Sequence, residues 1–172
     1  ARDWLMVLVH LGRRGEARRF LETQRVSGAT FLNREWAAKR LEILERVFMT
    51  EESRSRYARA VQWVKEGRPG EAEPLFRGLR EIESENLAVH VRLAQCLWVL
   101  GSLEASEVID QALDRFGPRP ELLLWKAESL LLARQAKVAV AAFKRASDSL
   151  PRSERAVLGL ARAHLMSGNR KQ

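Results

Sequence analysis

The sequence has a single cysteine, Cys96, only five prolines, and no uninterrupted apolar run long enough to cross a membrane. A lone cysteine excludes a disulfide framework and a thiolate metal cluster. A membrane-spanning helix needs about 18 or more apolar residues, so no membrane insertion is expected. Residues 4–9 are apolar, but the residue before them is the acidic Asp3 and no basic segment precedes them. This argues against a signal peptide. The sequence therefore predicts a soluble protein and leaves the compartment open between cytoplasm and periplasm.

The motifs of common catalytic and cofactor sites are also missing from the sequence. It contains no glycine-rich phosphate loop, no HExxH and no GxSxG. His10, His90 and His164 lie on separate predicted helices, and none has a second ligand at a metal-binding spacing. Cys96 lies in the apolar stretch LAQCLWVL, with no histidine placed to activate it. We therefore expect no enzymatic activity, no metal and no cofactor.

Helix-forming residues, in contrast, are abundant. Alanine, leucine, glutamate and arginine dominate, and 46% of the residues are hydrophobic while 30% are charged, which is typical of a globular protein. Few stretches combine the β-branched and aromatic residues that favour strands. The composition therefore predicts an all-α fold.

One short pattern recurs along the chain. The stretch GRPGEAEPLF at residues 67–76 resembles GRRGEARRFL at residues 12–21. Turn positions that end apolar helical stretches then recur at spacings of 34, 33 and 34 residues, at Gly67, Gly101, Arg134 and Gly168. Each turn is preceded by a small residue, and the first three turns are followed by an alanine and, four positions later, by a bulky residue. Such spacing predicts stacked helix pairs whose small residues allow close approach.

These landmarks resemble the tetratricopeptide repeat, a helix-turn-helix unit of 34 residues, over residues 53–168. The proline that closes such a unit occurs at Pro118 and Pro151. Four features depart from the pattern. Arg134 replaces the turn glycine, Ser84 replaces the first closing proline, Ala105 follows a turn that is one residue shorter, and Pro74 lies inside its predicted helix. The resemblance implies a right-handed α-solenoid of antiparallel helix pairs.

The resemblance also divides the chain into segments. Residues 1–52 hold a degenerate unit near residues 1–25 and an extra helix at about residues 31–49 that interrupts the spacing. Three units and the first helix of a truncated unit follow, over residues 53–86, 87–119, 120–153 and 154–172, and Ser153 is predicted to cap that last helix. We expect the chain to be a fragment whose array continues in a parent protein. The apolar side of the last helix is then uncovered, which predicts a site for self-association.

The resemblance further implies a concave groove that is lined by the first helix of each unit and holds a peptide or a partner helix. Carried over position by position, the groove residues are Arg54, Tyr57, Val61, Lys65, Ala88, Val91, Gln95, Trp98, Glu121, Leu124, Glu128, Leu131, Arg155, Leu158 and Arg162. Tyr57, Trp98 and the neighbouring Trp125 are the candidate anchors, since aromatic residues dominate interface energetics. The sequence leaves open whether Trp98 and Trp125 face the groove or the core.

Two functions follow from these expectations. The first is a non-catalytic scaffold or adaptor that binds a protein partner within a larger assembly, such as a bacterial secretion, pilus or exopolysaccharide-export machinery. The alternative is binding of a polyanion, RNA or an acidic polysaccharide, because residues 120–172 carry ten basic and four acidic residues of a chain with net charge +8. Arginine outnumbers lysine 24 to 6 along the chain, which favours a general compositional bias over selection for phosphate.

Overall fold

A computed structural model of the protein describes residues 7–9, 11–27 and 31–168. In this part of the chain the structure is entirely helical and contains no strand, so the predicted all-α fold is confirmed. The helices are α1 (Arg14–Ser27), α2 (Phe31–Leu44), α3 (Glu51–Lys65), α4 (Pro69–Ile82), α5 (Leu87–Val99), α6 (Glu104–Phe116), α7 (Pro120–Leu132), α8 (Ala136–Ser149) and α9 (Glu154–Met166). His10, the start of the degenerate unit and the last four residues of the 154–172 segment lie outside the described residues.

The predicted turn positions share one backbone conformation. The turns after α3 and α5 contain Gly67 and Gly101, which have φ angles of +77° and +70°. Arg134 takes the same left-handed conformation after α7, at φ +57°, although its side chain makes that conformation cost about 1–2 kcal/mol. The turn is therefore imposed by the packing of the helix pair and does not depend on glycine.

Capping residues set where several helices begin. The sequence predicts that the first unit starts near Ser53, but α3 begins at Glu51 because the side chain of Thr50 accepts a hydrogen bond from the Ser53 amide at 3.0 Å. Ser153 caps α9 as the sequence predicts, accepting from the Ala156 amide at 3.2 Å. The extra helix is shorter than predicted, since α2 ends at Leu44.

Helices α3 to α9 form a stack in which each helix packs on its pair partner and each second helix packs on the first helix of the next pair. The second helices α4, α6 and α8 each bury one alanine completely, followed one turn later by a fully buried bulky residue. These pairs are Ala72 with Phe76, Ala105 with Ile109, and Ala139 with Phe143. Small residues admit the neighbouring helix, and the bulky residue fills the space that remains.

The two ends of the stack differ in polarity. The outer residues of α3 are polar and include Arg56 and Arg59, both exposed. At the other end α9 exposes Leu158 and Leu165, each to 63%. The apolar face of α9 is thus uncovered, and self-association through it stays a prediction.

Helices α1 and α2 form a hairpin that lies along one edge of the stack. They pack closely on each other around their own apolar cluster, which includes Leu21 and Leu41. Within the described residues, α2 makes no close backbone contact with α3, so the hairpin does not continue the stack. Instead the Leu87 amide at the start of α5 donates to the Glu45 carbonyl just after α2, at 2.7 Å.

Buried ion pairs join the hairpin to the stack. Arg14 of α1 is 2% exposed and donates to the Leu44 carbonyl and, at 3.0 Å, to Glu83, which is fully buried after α4. Burial lowers the pKa of the Arg14 guanidinium, an effect that the nearby carboxylates oppose. The buried Glu45 pairs with Arg119, the residue before α7, at 2.6 Å. The junction is therefore ionic where a stacked unit would be apolar.

Arg18 of α1 forms a second part of this junction. Its guanidinium donates to Glu85 at 2.6 Å and to the carbonyl of Arg115 at the end of α6, and it lies 4.8 Å from the centre of the Phe116 ring. One side chain thus connects the hairpin to two successive units.

Arg14→Met should lower the stability of the protein more than the loss of an exposed ion pair would. It removes the partner of Glu83 and leaves a carboxylate buried, so we expect the free energy of unfolding to fall by about 3–5 kcal/mol. The matched control is Arg13→Met, which removes an exposed pair with Glu16 and should leave stability unchanged. Urea denaturation checks both variants, and equal effects would contradict a buried junction.

Gly159 of α9 allows α9 to approach α8. A Cβ atom added there would overlap the ring of Phe143, which is fully buried and cannot move aside. We expect Gly159→Ala to destabilise the protein by about 1–3 kcal/mol despite the better helix propensity of alanine. Gly78→Ala in α4, where an added Cβ meets no atom within 4 Å, should stabilise it by about 0.5–1 kcal/mol. Chemical denaturation should show changes of opposite sign in the free energy of unfolding of the two variants. Changes of the same sign would contradict the described packing of Gly159 on Phe143.

Candidate functional site

The first helices of the pairs line a groove on the inner side of the stack. Its first part is a cavity of about 370 Å³, lined by the predicted groove residues Tyr57, Ala88, Val91, Gln95, Glu121, Leu124 and Arg155, together with Trp125. A second cavity of about 600 Å³ is lined by Gln95, Trp98, Trp125, Glu128, Arg155, Leu158 and Arg162. The two cavities share Gln95, Trp125 and Arg155 and so form one continuous groove.

A third cavity, of about 310 Å³, extends the groove towards the ends of α7 and α9. It is lined by Trp98, Glu128, Leu131 and Arg162, which were predicted, and by Leu132, Arg134 and Met166, which were not. The three cavities thus bring all eleven predicted residues of α5, α7 and α9 to one surface.

The predicted residues of α3 are less well gathered. Arg54, Val61 and Lys65 do not line these three cavities. Arg54 and Lys65 are exposed, and Val61 packs partly buried against the core beside Ala60. Because α3 is the terminal helix of the stack, it closes the groove on one side only. Only Tyr57 of this helix contributes to the cavity surface.

A compact cluster of aromatic and charged side chains forms the middle of the groove. The rings of Trp98 and Trp125 meet edge to face, with centroids 5.7 Å apart. The Arg155 guanidinium lies 3.7 Å from the centre of the Trp125 ring, and its Nε donates to Glu128 at 3.0 Å. Such a cation above an aromatic face, held by a carboxylate, keeps the Trp125 side chain in one orientation.

The structure resolves the alternative that the sequence leaves open for the two tryptophans. Trp125 is 6% exposed and belongs to the core, although its edge lines the groove floor. Trp98 is partly buried and lines two of the cavities. Its Nε1 is a buried donor that has no hydrogen-bond partner among the described residues.

Positive charge predominates on the groove surface. Three acids line the groove. Glu128 is 5% exposed and is neutralised by Arg155, Glu121 pairs with Arg46 at 2.8 Å, and Glu154 is exposed at the edge of the second cavity. Arg92 donates only to a neutral acceptor, Gln95, at 2.6 Å. Arg162 is exposed and forms no ion pair with any described residue. A partner that carries negative charge fits this surface better than a basic one.

The hairpin lengthens the groove in a way that sequence reasoning missed. A cleft of about 630 Å³ lies between α2 and the first residues of α5 and α7. It shares Arg46, Leu87, Glu121 and Leu150 with the first cavity, so the two are continuous. Arg46 lies outside the repeats, and no repeat position could identify it, because its place depends on how the hairpin folds back.

Cys96 lies outside the groove and has the environment of a buried structural residue. Burial raises the pKa of the Cys96 thiol to about 11, and its Sγ donates to the Pro69 carbonyl at 3.0 Å, so it is not a thiolate at neutral pH. No group of three potential metal ligands occurs among residues 7–9, 11–27 and 31–168. None of the helices in these ranges is long and apolar enough to span a membrane.

Comparison with known proteins identifies the repeat. Models of the tetratricopeptide repeat match residues 64–128 and residues 6–23. No curated protein matches the chain. Among solved structures, the crystal structure of the P58(IPK) TPR domain is similar, with a TM-score of 0.65 and 14% sequence identity. The match covers 98% of this chain and 46% of that chain, so this chain spans less than half of its length. At this identity the similarity shows the fold.

His90 should make stability depend on pH. Burial lowers its pKa, helped by the nearby Arg115 and Arg80, while its hydrogen bond to the Ser84 carbonyl and the charge of Glu85 act in the opposite sense. The folded protein therefore binds fewer protons than the unfolded chain, and stability is lost as the pH falls below about 6.5. We expect His90→Gln to reduce this loss between pH 7.5 and 5. If the unfolding free energies of the original protein and the His90→Gln variant changed in parallel with pH, His90 would not be the source of the pH dependence.

Proposed function

The chain belongs to the tetratricopeptide repeat family, whose repeats serve as scaffolds for protein-protein interaction, and we propose that its groove holds a segment of a partner protein. The segment is an extended peptide or a helix. A role within a larger assembly, such as a bacterial secretion, pilus or exopolysaccharide-export machinery, is part of the proposal and rests on resemblance alone. No catalysis is proposed.

The observation that carries this proposal is the cluster in the middle of the groove. Trp98 offers a partly exposed aromatic surface next to the unpaired cation of Arg162. Val91 and Leu158 add apolar surface on either side. The matching partner segment has an apolar anchor next to an acidic side chain, since desolvated aromatic and arginine residues dominate binding energy.

Preorganisation of this cluster supports the same conclusion. Arg155 holds Trp125 and Glu128 in place, and Trp125 in turn supports the ring of Trp98. The side chains that would contact the partner are thus fixed before binding, which reduces the entropy lost on association.

The alternative is polyanion binding through the basic residues of 120–172, and it overlaps in part with the groove. Arg134, Arg155 and Arg162 line the groove cavities, whereas Lys137, Lys144 and Arg145 of α8 do not.

The groove is tested with a purified partner, identified first by affinity capture with residues 1–172 as bait. Trp98→Ala combined with Arg162→Glu removes the anchor surface and reverses the free charge. We expect the affinity for the purified partner to fall by about 30-fold or more in isothermal titration, as for a hot-spot residue.

The matched control is Arg56→Glu combined with Trp36→Ala, which makes the same types of change on α3 and α2, away from the groove. It should leave the affinity within about threefold of the original. Circular dichroism of both variants verifies that the helices are intact. Unchanged affinity of the groove variant, with its helices intact, would place the site on the outer surface or on the hairpin.

A further inference from the structure

The groove runs along the helices and not across the stack. The cleft beside α2 and the three groove cavities follow one another in chain order along α7, at residues 119–121, 121–125, 125–128 and 128–134. The lining residues of α5 have the same order, from Leu87 in the cleft to Trp98 in the third cavity. Because α7 has 13 residues, the groove beside it is about 20 Å long. A segment that fills the groove therefore lies parallel to the axes of α5 and α7.

The floor of the groove has the spacing of a surface on which another helix packs. The residues that α5 and α7 contribute are separated by three, four and three positions on each helix. They are Ala88, Val91, Gln95 and Trp98 on α5, and Glu121, Leu124, Glu128 and Leu131 on α7. Helices that lie lengthwise interdigitate when both present side chains at this spacing. An extended chain, whose side chains alternate every two residues, does not match it.

Polar side chains in the middle of the groove are already bonded to one another. Gln95 accepts a hydrogen bond from Arg92 at 2.6 Å, and Glu128 accepts one from Arg155 at 3.0 Å. An extended segment about 20 Å long has roughly six residues, and their backbone N–H and C=O groups would need partners in the groove. A helix bonds its own backbone groups except those at its two ends. The groove therefore fits a helix better than an extended peptide.

Two arginines lie at the end of the groove where α5, α7 and α9 end. Arg134 and Arg162 both line the third cavity, both are exposed, and neither forms an ion pair with any residue that the structure describes. The C-terminal ends of the three helices carry partial negative charge, so they attract the positive N-terminal end of another helix. Acidic residues in the first turn of that helix would reach the two arginines. Both effects favour a helix that is antiparallel to the three.

We propose that the segment held in the groove is an amphipathic α-helix of about 13 residues, antiparallel to α5, α7 and α9, with acidic residues in its first turn. The inference rests on the proposed function, since it names the kind of segment that fills the same groove. The apolar face of the helix packs on Val91, Leu124 and Leu158, which line the groove between its two ends.

Selection from a phage-displayed library of random 16-residue peptides tests the proposal. Residues 1–172 are the bait, and peptides that also bind the Trp98→Ala, Arg162→Glu variant are discarded. We expect the enriched peptides to have apolar residues spaced by three and four positions and an acid in the first turn. Circular dichroism should show a gain of helical signal when a synthetic copy binds. A proline at a central position of the peptide should lower the affinity at least tenfold.

Matched substitutions in the protein test whether the peptide lies along the helices. Ala88→Glu and Met166→Glu place a carboxylate at opposite ends of the groove, and each should lower the affinity for the same peptide at least tenfold, because binding buries the charge. The controls are Ala141→Glu and Val138→Glu, at exposed positions of α8 that line none of these cavities, and they should change it less than threefold. Loss of affinity at one end only would contradict a lengthwise helix.

Exchange of charges tests the orientation of the helix. Replacement of the first-turn acids of the peptide by their amides should lower its affinity for the original protein at least fivefold. The same replacement should have no effect on binding to the Arg134→Gln, Arg162→Gln variant, because the arginines that the acids contact are then absent. A peptide that binds more tightly with its acids in the last turn would contradict the antiparallel orientation.

Two outcomes of the selection would overturn the proposal, and they differ in what they mean for the proposed function. Groove-dependent peptides that have apolar residues at every second position and bind without a gain of helical signal would retain the groove as the partner site and replace the helix by an extended segment. A selection that enriches no groove-dependent peptide would contradict the proposed function as well. Circular dichroism of each protein variant verifies that its helices are intact.

Discussion

Close packing between alanine-bearing helices is the constraint on which the rest of the structure depends. Ala72, Ala105 and Ala139 are completely buried, and a larger side chain at any of them would separate the paired helices. This packing sets the orientation of each pair relative to the next and places the first helices side by side. The groove exists because these helices repeat with one spacing, so its floor is a consequence of core packing.

Under the proposed function, the middle of the groove serves both stability and recognition with the same side chains. Trp125 fills the core and also forms the floor, and Arg155 both neutralises the buried Glu128 and covers the Trp125 ring. A surface of this kind is rigid because its charges are already engaged. The exposed part of the Trp98 ring and the unpaired Arg162 are the groups that remain for the proposed partner.

The repeats were predictable from the sequence, whereas the hairpin position was not. Turn positions, buried alanines and the Ser153 cap follow from residues close together in the chain, and the structure has them where the sequence predicts them. The fold-back of α1 and α2 depends on pairs such as Arg14 with Glu83, which are 69 residues apart and have no periodic signal. For the same reason, Arg46 and the cleft beside α2 could not be predicted from the sequence. The sequence could not predict whether Trp98 and Trp125 face the core or the groove, because the same face of a helix borders both.

The ionic junction changes how the array should fold and unfold. In a solenoid whose units touch only their neighbours, stability is a sum of local terms, and single units can open one by one. Here Arg18 contacts Glu85 and the carbonyl of Arg115, 67 and 97 residues away, and Arg119 contacts Glu45 across 74 residues. These contacts join the hairpin to two successive units, 53–86 and 87–119. Opening either unit breaks its bonds to the hairpin, so the two units are coupled through the hairpin and do not open as independent members of a one-dimensional array.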